Sequence, residues 1–82
     1  AEHDIQVNAL APGFIATALN SHLWENEEFN DWILDRTPAQ RVGTPQDMVG
    51  TAVFLAASAS NFVTGQVIYV DGGVIAGSVW PL

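Results

Sequence analysis

Two stretches of this chain are written as β-strands, and they lie near its two ends. Ile5-Gln6-Val7-Asn8-Ala9-Leu10 opens with strict alternation, Ile5 and Val7 on one face and Gln6 and Asn8 on the other. Gln66-Val67-Ile68-Tyr69-Val70 is rich in β-branched side chains. The long connection between them carries helix signals. Strand, helical connection and strand form a βαβ unit, which places the strands in parallel with a right-handed crossover. Two parallel strands make a poor sheet by themselves, because parallel sheets bury both faces and want further strands at their sides. The pattern therefore predicts one part of a larger α/β domain.

The helix signals are specific. Asn26 is placed to cap a helix whose first turn holds Glu27 and Glu28, the end where negative charge is favoured. Phe29, Trp32, Ile33 and Arg36 follow at helical spacing, with Trp32 the stronger core candidate, and Pro38 enforces the stop. Thr44-Pro45-Gln46-Asp47 reads as an N-cap, a proline at the first helical position and an acidic first turn. That helix is expected to reach about Ala57. Met48, Val49, Ala52, Val53 and Ala56 form its apolar face, widened by Phe54 and Leu55, which implies cover on more than one side. Between Ala18 and Glu25, Leu19, Leu23 and Trp24 fit either a short helical turn or a mobile lid. The tail from Val74 to Leu82 is uncharged and mostly apolar.

Composition excludes several classes of function. Net charge is −7, and Arg36 and Arg41 are the only cationic Lys or Arg residues in 82. A nucleic-acid binder needs a basic stripe, and an anionic membrane surface would repel this chain. Neither partner is expected. Cysteine is absent, so there is no disulfide framework and no thiolate metal site, which suits a cytoplasmic protein. No uncharged run reaches the roughly 18 residues of a membrane span. Ala1-Glu2-His3-Asp4 lacks the basic-then-apolar order of a secretory signal, and the missing initiator Met is expected of a segment from inside a longer chain. Hydrophobic residues make up 49% of the chain, more than a chain this short comfortably buries. Some apolar faces are therefore expected to meet another polypeptide.

The candidate ligand site is Pro12-Gly13-Phe14-Ile15-Ala16-Thr17, which follows the carboxyl end of the first strand. Ligands bind at that edge of open α/β sheets, where a sharp turn leaves backbone groups free. A second glycine-rich stretch, Asp71-Gly72-Gly73-Val74-Ile75-Ala76-Gly77, also follows a strand. It is not read as a dinucleotide fingerprint, since that motif must open a helix and lead to another strand. Gly72 and Gly73 more simply supply a turn. Arg41 is expected to pair with one of the many acids. His3 and His22 are too far apart to suggest a metal pair, and no metal site is expected. The acids Glu25, Glu27 and Glu28 are explained by the helix dipole rather than by acid–base chemistry.

Three motifs in order, Asn8-Ala9-Leu10-Ala11-Pro12-Gly13-Phe14-Ile15-Ala16-Thr17, then Arg41-Val42-Gly43-Thr44-Pro45, then Val70-Asp71-Gly72-Gly73, resemble the C-terminal third of a short-chain dehydrogenase/reductase. Arg36-Thr37-Pro38 through Gly43 is most similar to the gluconate 5-dehydrogenase branch, with the 3-oxoacyl carrier-protein reductases close behind. The resemblance implies the C-terminal βαβ part of a Rossmann-type doubly wound parallel sheet, residues 1–82 being one fragment of a single NAD(P)-binding domain. It implies hydride transfer between NAD or NADP and a carbonyl or alcohol substrate. It places the Ile15 backbone on the nicotinamide carboxamide and the Thr17 hydroxyl on the carboxamide or diphosphate, with Pro12 and Gly13 shaping the turn. Leu19, His22, Leu23 and Trp24 would form the substrate lid. The resemblance also marks what is missing. The chain has no lysine and a single tyrosine, Tyr69, so the family's Tyr-x-x-x-Lys pair is not in it, nor is the glycine-rich cofactor loop. No catalytic residue is therefore expected here, and the chain alone is expected to be inactive. Its partners would be the remainder of its own subunit and further copies in a homodimer or homotetramer, with Val53, Phe54, Val67, Tyr69 and Trp80 at the contact. The competing expectation is a truncated, non-catalytic paralogue acting as an interaction module.

Overall fold

The computed structural model describes residues 1–77, and its framework is a pair of parallel strands joined by helices. Strand β1 is Ala9–Pro12 and strand β2 is Val67–Val70. They pair with Ala9 opposite Val67 and Pro12 opposite Val70. Between them run a short 3-10 turn at Ala18–Asn20, helix α1 at Ser21–Trp24, helix α2 at Glu27–Arg36, helix α3 at Gln46–Ala56 and a second 3-10 turn at Ser58–Ser60. This is the expected α/β architecture with a parallel pair.

The first strand begins later than the alternation predicts. Ile5 and Val7 are both well exposed rather than packed on a sheet face. The reason lies in where their backbone bonds go. Val7 N–H donates to Thr64 Oγ1 at 3.1 Å, and Val7 C=O accepts from Gly65 N–H at 2.8 Å. Gly65 sits at φ +74°, in a turn that has not yet become strand. Asn8 then closes this turn with its side chain: Nδ2 donates to Val63 C=O at 2.9 Å, and Oδ1 accepts from Gln66 N–H at 3.0 Å. Only beyond this clamp does the regular ladder start. Pro12 has no N–H to give and ends β1, after which Gly13 N–H donates to Val70 C=O at 3.1 Å.

Helix α2 forms where its caps predict. Asn26 Oδ1 accepts from Phe29 N–H at 3.0 Å, and Glu27 and Glu28 occupy the first turn. Its inner stripe is Ile33 and Thr37, not Trp32. Ile33 is the one fully buried apolar side chain among the described residues, and the Thr37 hydroxyl donates to its carbonyl at 2.9 Å. Trp32 is 46% exposed. The turn after β2 sets this inner stripe. Gly72 and Gly73 adopt φ of +66° and +94° and press against Thr37 and Pro38. A Cβ on Gly72 would lie 2.9 Å from Thr37 Cγ2, and Gly72 C=O accepts from Ala39 N–H at 2.9 Å. The Asp71 carboxylate completes the turn by accepting from Gly73 and Ile75 N–H. These glycines therefore make a tight turn and open no helix.

Helix α3 packs on both strands, but with a different face from the one expected. Met48, Thr51 and Leu55 are half-buried, whereas Val49, Ala52, Val53 and Ala56 are open to solvent. Leu10, Ile68 and Val70 are half-buried beside the helix, and Val67 and Tyr69 alternate onto the uncovered face. Among the described residues one sheet face is covered and two apolar surfaces are bare. The dimensions agree. The radius of gyration is 15.7 Å, against about 12 Å for a compact domain of this length. The accessible surface is 6156 Å², where a compact monomer of this mass would expose about 4,800 Å².

The connection into α3 is pinned by charge. Arg41 grips Asp47 through two bonds, Nη1 to Oδ2 at 2.8 Å and Nη2 to Oδ1 at 2.9 Å. The expected Thr44 cap is replaced by a reach in the opposite direction, with Asp47 Oδ2 accepting from Thr44 N–H at 2.8 Å. The Arg41 guanidinium first, and the Thr44 N–H second, hold the Asp47 carboxyl well below the usual carboxylate range. An unfolded aspartate titrates near 3.9. Because the native value is lowered, the stabilisation is complete above that pH and is lost as pH falls through the native value. In denaturant titrations, the stability gap between the wild type and Asp47→Asn should be level from pH 7 to about pH 5 and narrow steadily below about pH 4. A gap that stays constant down to pH 2 would show that the carboxylate charge at 47 is not what the loop depends on.

Candidate functional site

The site is built on the carboxyl edge of β1. Gly13 passes so close to the end of β2 that a Cβ on it would lie 2.7 Å from Asp71 Cα. Only a glycine lets the chain leave the strand on this path. Two residues later the loop finds a second partner on its other side. Phe14 C=O accepts from Gly43 N–H, and Ala16 N–H donates to Gly43 C=O, both at 2.9 Å. Ile15 thereby faces Gly43 in a parallel bridge. The Arg41–Asp47 pair fixes the connection that carries Gly43, so it sets the height at which the loop is held.

This bridge uses the groups flanking Ile15 and leaves its own backbone free to point elsewhere. Ile15 C=O accepts from Asn20 Nδ2 at 2.9 Å. Ile15 N–H has no partner among the described residues. Thr17 is exposed, and its N–H donates to Asn20 Oδ1 at 2.7 Å. The expected cofactor residues Pro12, Gly13, Ile15 and Thr17 are therefore members of one edge loop, in which the Phe14 and Ile15 N–H groups have no partner among the described residues.

The segment expected as a lid comes directly after this loop. It is a 3-10 turn and then one turn of α-helix, which selects the helical-turn reading of its local structure. Leu19, His22 and Leu23 are exposed, Leu19 at 93%. Trp24 differs from them. Its indole N–H donates to Asn20 Oδ1 at 2.8 Å, and its ring leans on Phe29, 5.7 Å between centroids. Phe29 stacks on Trp32 at 6.2 Å, and Phe14 of the edge loop meets Trp32 edge-on at 6.3 Å. Arg36 lies over the Trp32 ring, 3.8 Å from its centroid. The loop and the segment after it are thus closed into a ring, aromatic on one side and hydrogen-bonded through Asn20 on the other. Sequence reasoning missed Asn20. The signal was the spacing Thr17-x-x-Asn20, in which the third residue of a helical turn reaches back to the N–H of its cap.

Beneath the loop lies a cavity of about 110 Å³, lined by Gly13, Phe14, Ile15, Met48, Val70 and Gly72 among others. Pockets that enclose a small-molecule ligand hold roughly 300 Å³ or more. The residues around this cavity are therefore too few to enclose such a ligand and form one wall at most. Among the described residues there is no cluster of His, Asp or Glu able to hold a metal, and no helix long and apolar enough to cross a membrane. Arg41 is engaged by Asp47 and Arg36 by Trp32, so both Lys/Arg cations of the chain are in use. Trp80 and the other residues from 78 to 82 lie outside the described residues.

Comparison with known proteins agrees with this geometry. Residues 1–75 match the family model described as enoyl-(acyl carrier protein) reductase. The chain is 49% identical over 75 residues to 5-keto-D-gluconate 5-reductase of Escherichia coli K12, covering 92% of this chain and 30% of that protein. It is 53% identical over 72 residues to gluconate 5-dehydrogenase of Gluconobacter oxydans, covering 88% and 28%. A crystal structure of gluconate 5-dehydrogenase from Burkholderia cenocepacia, in complex with NADP and tartrate, superimposes with a TM-score of 0.83 at 48% identity, covering 89% of this chain and 29% of that one. The chain spans about a third of the length of the relatives it matches. With its parallel pair, its edge loop and these relatives, the chain belongs to the short-chain dehydrogenase/reductase family.

Proposed function

We propose that this chain is the C-terminal portion of the single Rossmann-type domain of an NAD(P)-dependent oxidoreductase, and that it contributes the nicotinamide end of the cofactor site, a cover over the substrate and part of a subunit contact. The observation that carries this reading is the edge loop, in which Ile15 N–H stands without a partner among the described residues, beside an exposed Thr17. A nicotinamide carboxamide needs a donor for its carbonyl, and that N–H is one. The same residues do not fit the phosphates, because both cations of the chain are already engaged and no glycine-rich turn opens a helix among the described residues. The phosphate-binding half is therefore assigned to the remainder of the subunit. Relatives named as gluconate 5-dehydrogenase and 5-keto-D-gluconate 5-reductase favour a sugar acid as the substrate, oxidised at an alcohol or reduced at a ketone.

When bound, NAD or NADP supplies or accepts the hydride. The work left to this chain is positional. The Ile15 N–H and the Thr17 hydroxyl orient the carboxamide. Leu19, His22, Leu23 and Trp24 lie on the segment that would cover the substrate and exclude water. The general acid must come from elsewhere, since Tyr69 is in β2 on the uncovered face and the chain has no lysine to pair with it. The bare faces of α3 and β2, with Val53, Phe54, Val67 and Tyr69, are assigned to other parts of the subunit and to a twofold contact with a second copy. We place the enzyme in the cytoplasm.

In the complete polypeptide, Thr17→Val should weaken NADPH or NADH binding about twofold to tenfold, the loss of one hydrogen bond of about 0.5–1.5 kcal/mol. Unchanged cofactor affinity, read by nucleotide fluorescence, would remove Thr17 from the site. The 82-residue chain alone should show no turnover of 5-ketogluconate with either cofactor. Turnover by the pure chain would instead place the whole active site within it.

Phe54→Glu with Tyr69→Glu in the complete enzyme should convert the oligomer to a smaller species by light scattering. An unchanged oligomer with an unchanged circular dichroism spectrum would free these faces from any subunit contact.

A further inference from the structure

We infer that Asn20 is a positioning residue for the cofactor edge, coupling the loop that meets the nicotinamide to the segment that covers the substrate. The inference rests on the proposed roles of Ile15 and Thr17 and adds a residue to which they give no part.

Its basis is the set of bonds made by one half-buried side chain. Asn20 Nδ2 donates to Ile15 C=O at 2.9 Å. Asn20 Oδ1 accepts from Thr17 N–H at 2.7 Å and from Trp24 Nε1–H at 2.8 Å. The two loop groups it holds flank Ala16, whose own N–H is held by Gly43 from the other side. Ile15 is thus fixed from both directions. Its carbonyl is turned onto Asn20, and its N–H is the group left over. No other uncharged side chain of this length meets the same demand. The site needs a donor and a two-bond acceptor on one short planar group, which is the inventory of a carboxamide. Aspartate offers the acceptor but sets a carboxylate against a carbonyl. Serine or threonine is shorter and carries its donor and acceptor on one atom.

The third bond makes this more than loop bracing. Trp24 is the last residue of α1, and its ring leads through Phe29 and Trp32 back to Phe14 of the same loop. Displacing α1 therefore pulls on Thr17 and Ile15 through one side chain. Closing the covering segment and presenting the cofactor donor become one movement. In free energy terms, the ordering of Ser21–Trp24 and the affinity for cofactor are linked, and each should strengthen the other.

The test uses the complete enzyme. Thr17→Val is the control for the site assignment, and Asn20→Ala and Asn20→Asp are the variants of interest. Amide hydrogen exchange without cofactor reads the hydrogen bond directly. In Asn20→Ala the Thr17 amide should exchange about tenfold faster or more, and residues 21–24 should lose protection with it. Cofactor affinity should fall about fivefold to tenfold. Asn20→Asp supplies the readout that simple destabilisation would not move. Ionised, it repels Ile15 C=O; protonated, it regains a donor for that carbonyl. Its cofactor affinity should therefore recover toward the wild-type value as pH falls below about 4, where an aspartate takes up a proton, relative to a wild type measured in parallel. If Thr17→Val weakens cofactor binding while Asn20→Ala changes neither affinity nor Thr17 exchange, the role of Asn20 is overturned and the site stands. A flat pH profile for Asn20→Asp, parallel to the wild type, would equally overturn it. If Thr17→Val and Asn20→Ala both leave affinity unchanged while exchange at Thr17 accelerates, the hydrogen bond is real but the loop is not a cofactor edge, and both readings fall.

Discussion

Everything in this molecule depends on pairing two strands that run the same way. Parallel neighbours cannot be joined by a tight turn, so the chain must travel out and return over one face before the second strand can form. That return path is α2, the Arg41–Asp47 loop and α3. Of this path it is α3 that covers the face of the pair carrying Leu10, Ile68 and Val70, and the opposite face with Val67 and Tyr69 is left bare. The same geometry places both strand ends at one edge. Gly13 and Asp71 meet there, and the loop that leaves β1 can be held by the end of β2. The site is a by-product of the pairing direction.

The elements whose signals are local were readable from residues alone. Asn26 caps α2 by a bond to the third residue on, and Pro38 stops it, and neither depends on anything distant. The same holds for the start of α3, where the acid and the loop are near in sequence even though the cap runs from Asp47 to Thr44 rather than the reverse. What escaped the sequence was decided by remote contacts. The alternation of Ile5 and Val7 is genuine, yet the Val7 backbone is taken by Thr64 and Gly65, far along the chain, and the strand starts later. Trp32 has the larger apolar surface, but Ile33 and Thr37 form the inner stripe, with Thr37 against the glycine turn after β2. In α3 the apolar stripe was identified and its direction was not, because an all-round apolar helix does not reveal which side its own chain will use. At the site, the edge loop was legible through Pro12 and Gly13. Asn20 was not, since a carboxamide in a helical turn is ordinarily a surface residue.

The chemistry offered at the edge is mostly backbone. The loop presents an amide donor and a hydroxyl, and the nearby Arg41 and Asp47 neutralise one another. Such a surface suits a neutral, planar polar group better than an anion.

The hydrogen bonds of Asn8 have a kinetic consequence. They join residues 55 and 58 positions apart, Asn8 Nδ2 to Val63 C=O and Gln66 N–H to Asn8 Oδ1, at the threshold of the β1–β2 ladder. Local helices such as α2 order within about a microsecond, but a contact of this separation must first close a long loop, and its entropy is spent before any ladder bond offsets it. The order of events is therefore imposed by topology: helices first, then the meeting of the two ends, and with it the docking of Gly13 against Asp71. During synthesis the edge loop emerges early and has nothing to lean on until Val63–Val70 have emerged too. The candidate edge is therefore among the last features of this chain to take shape.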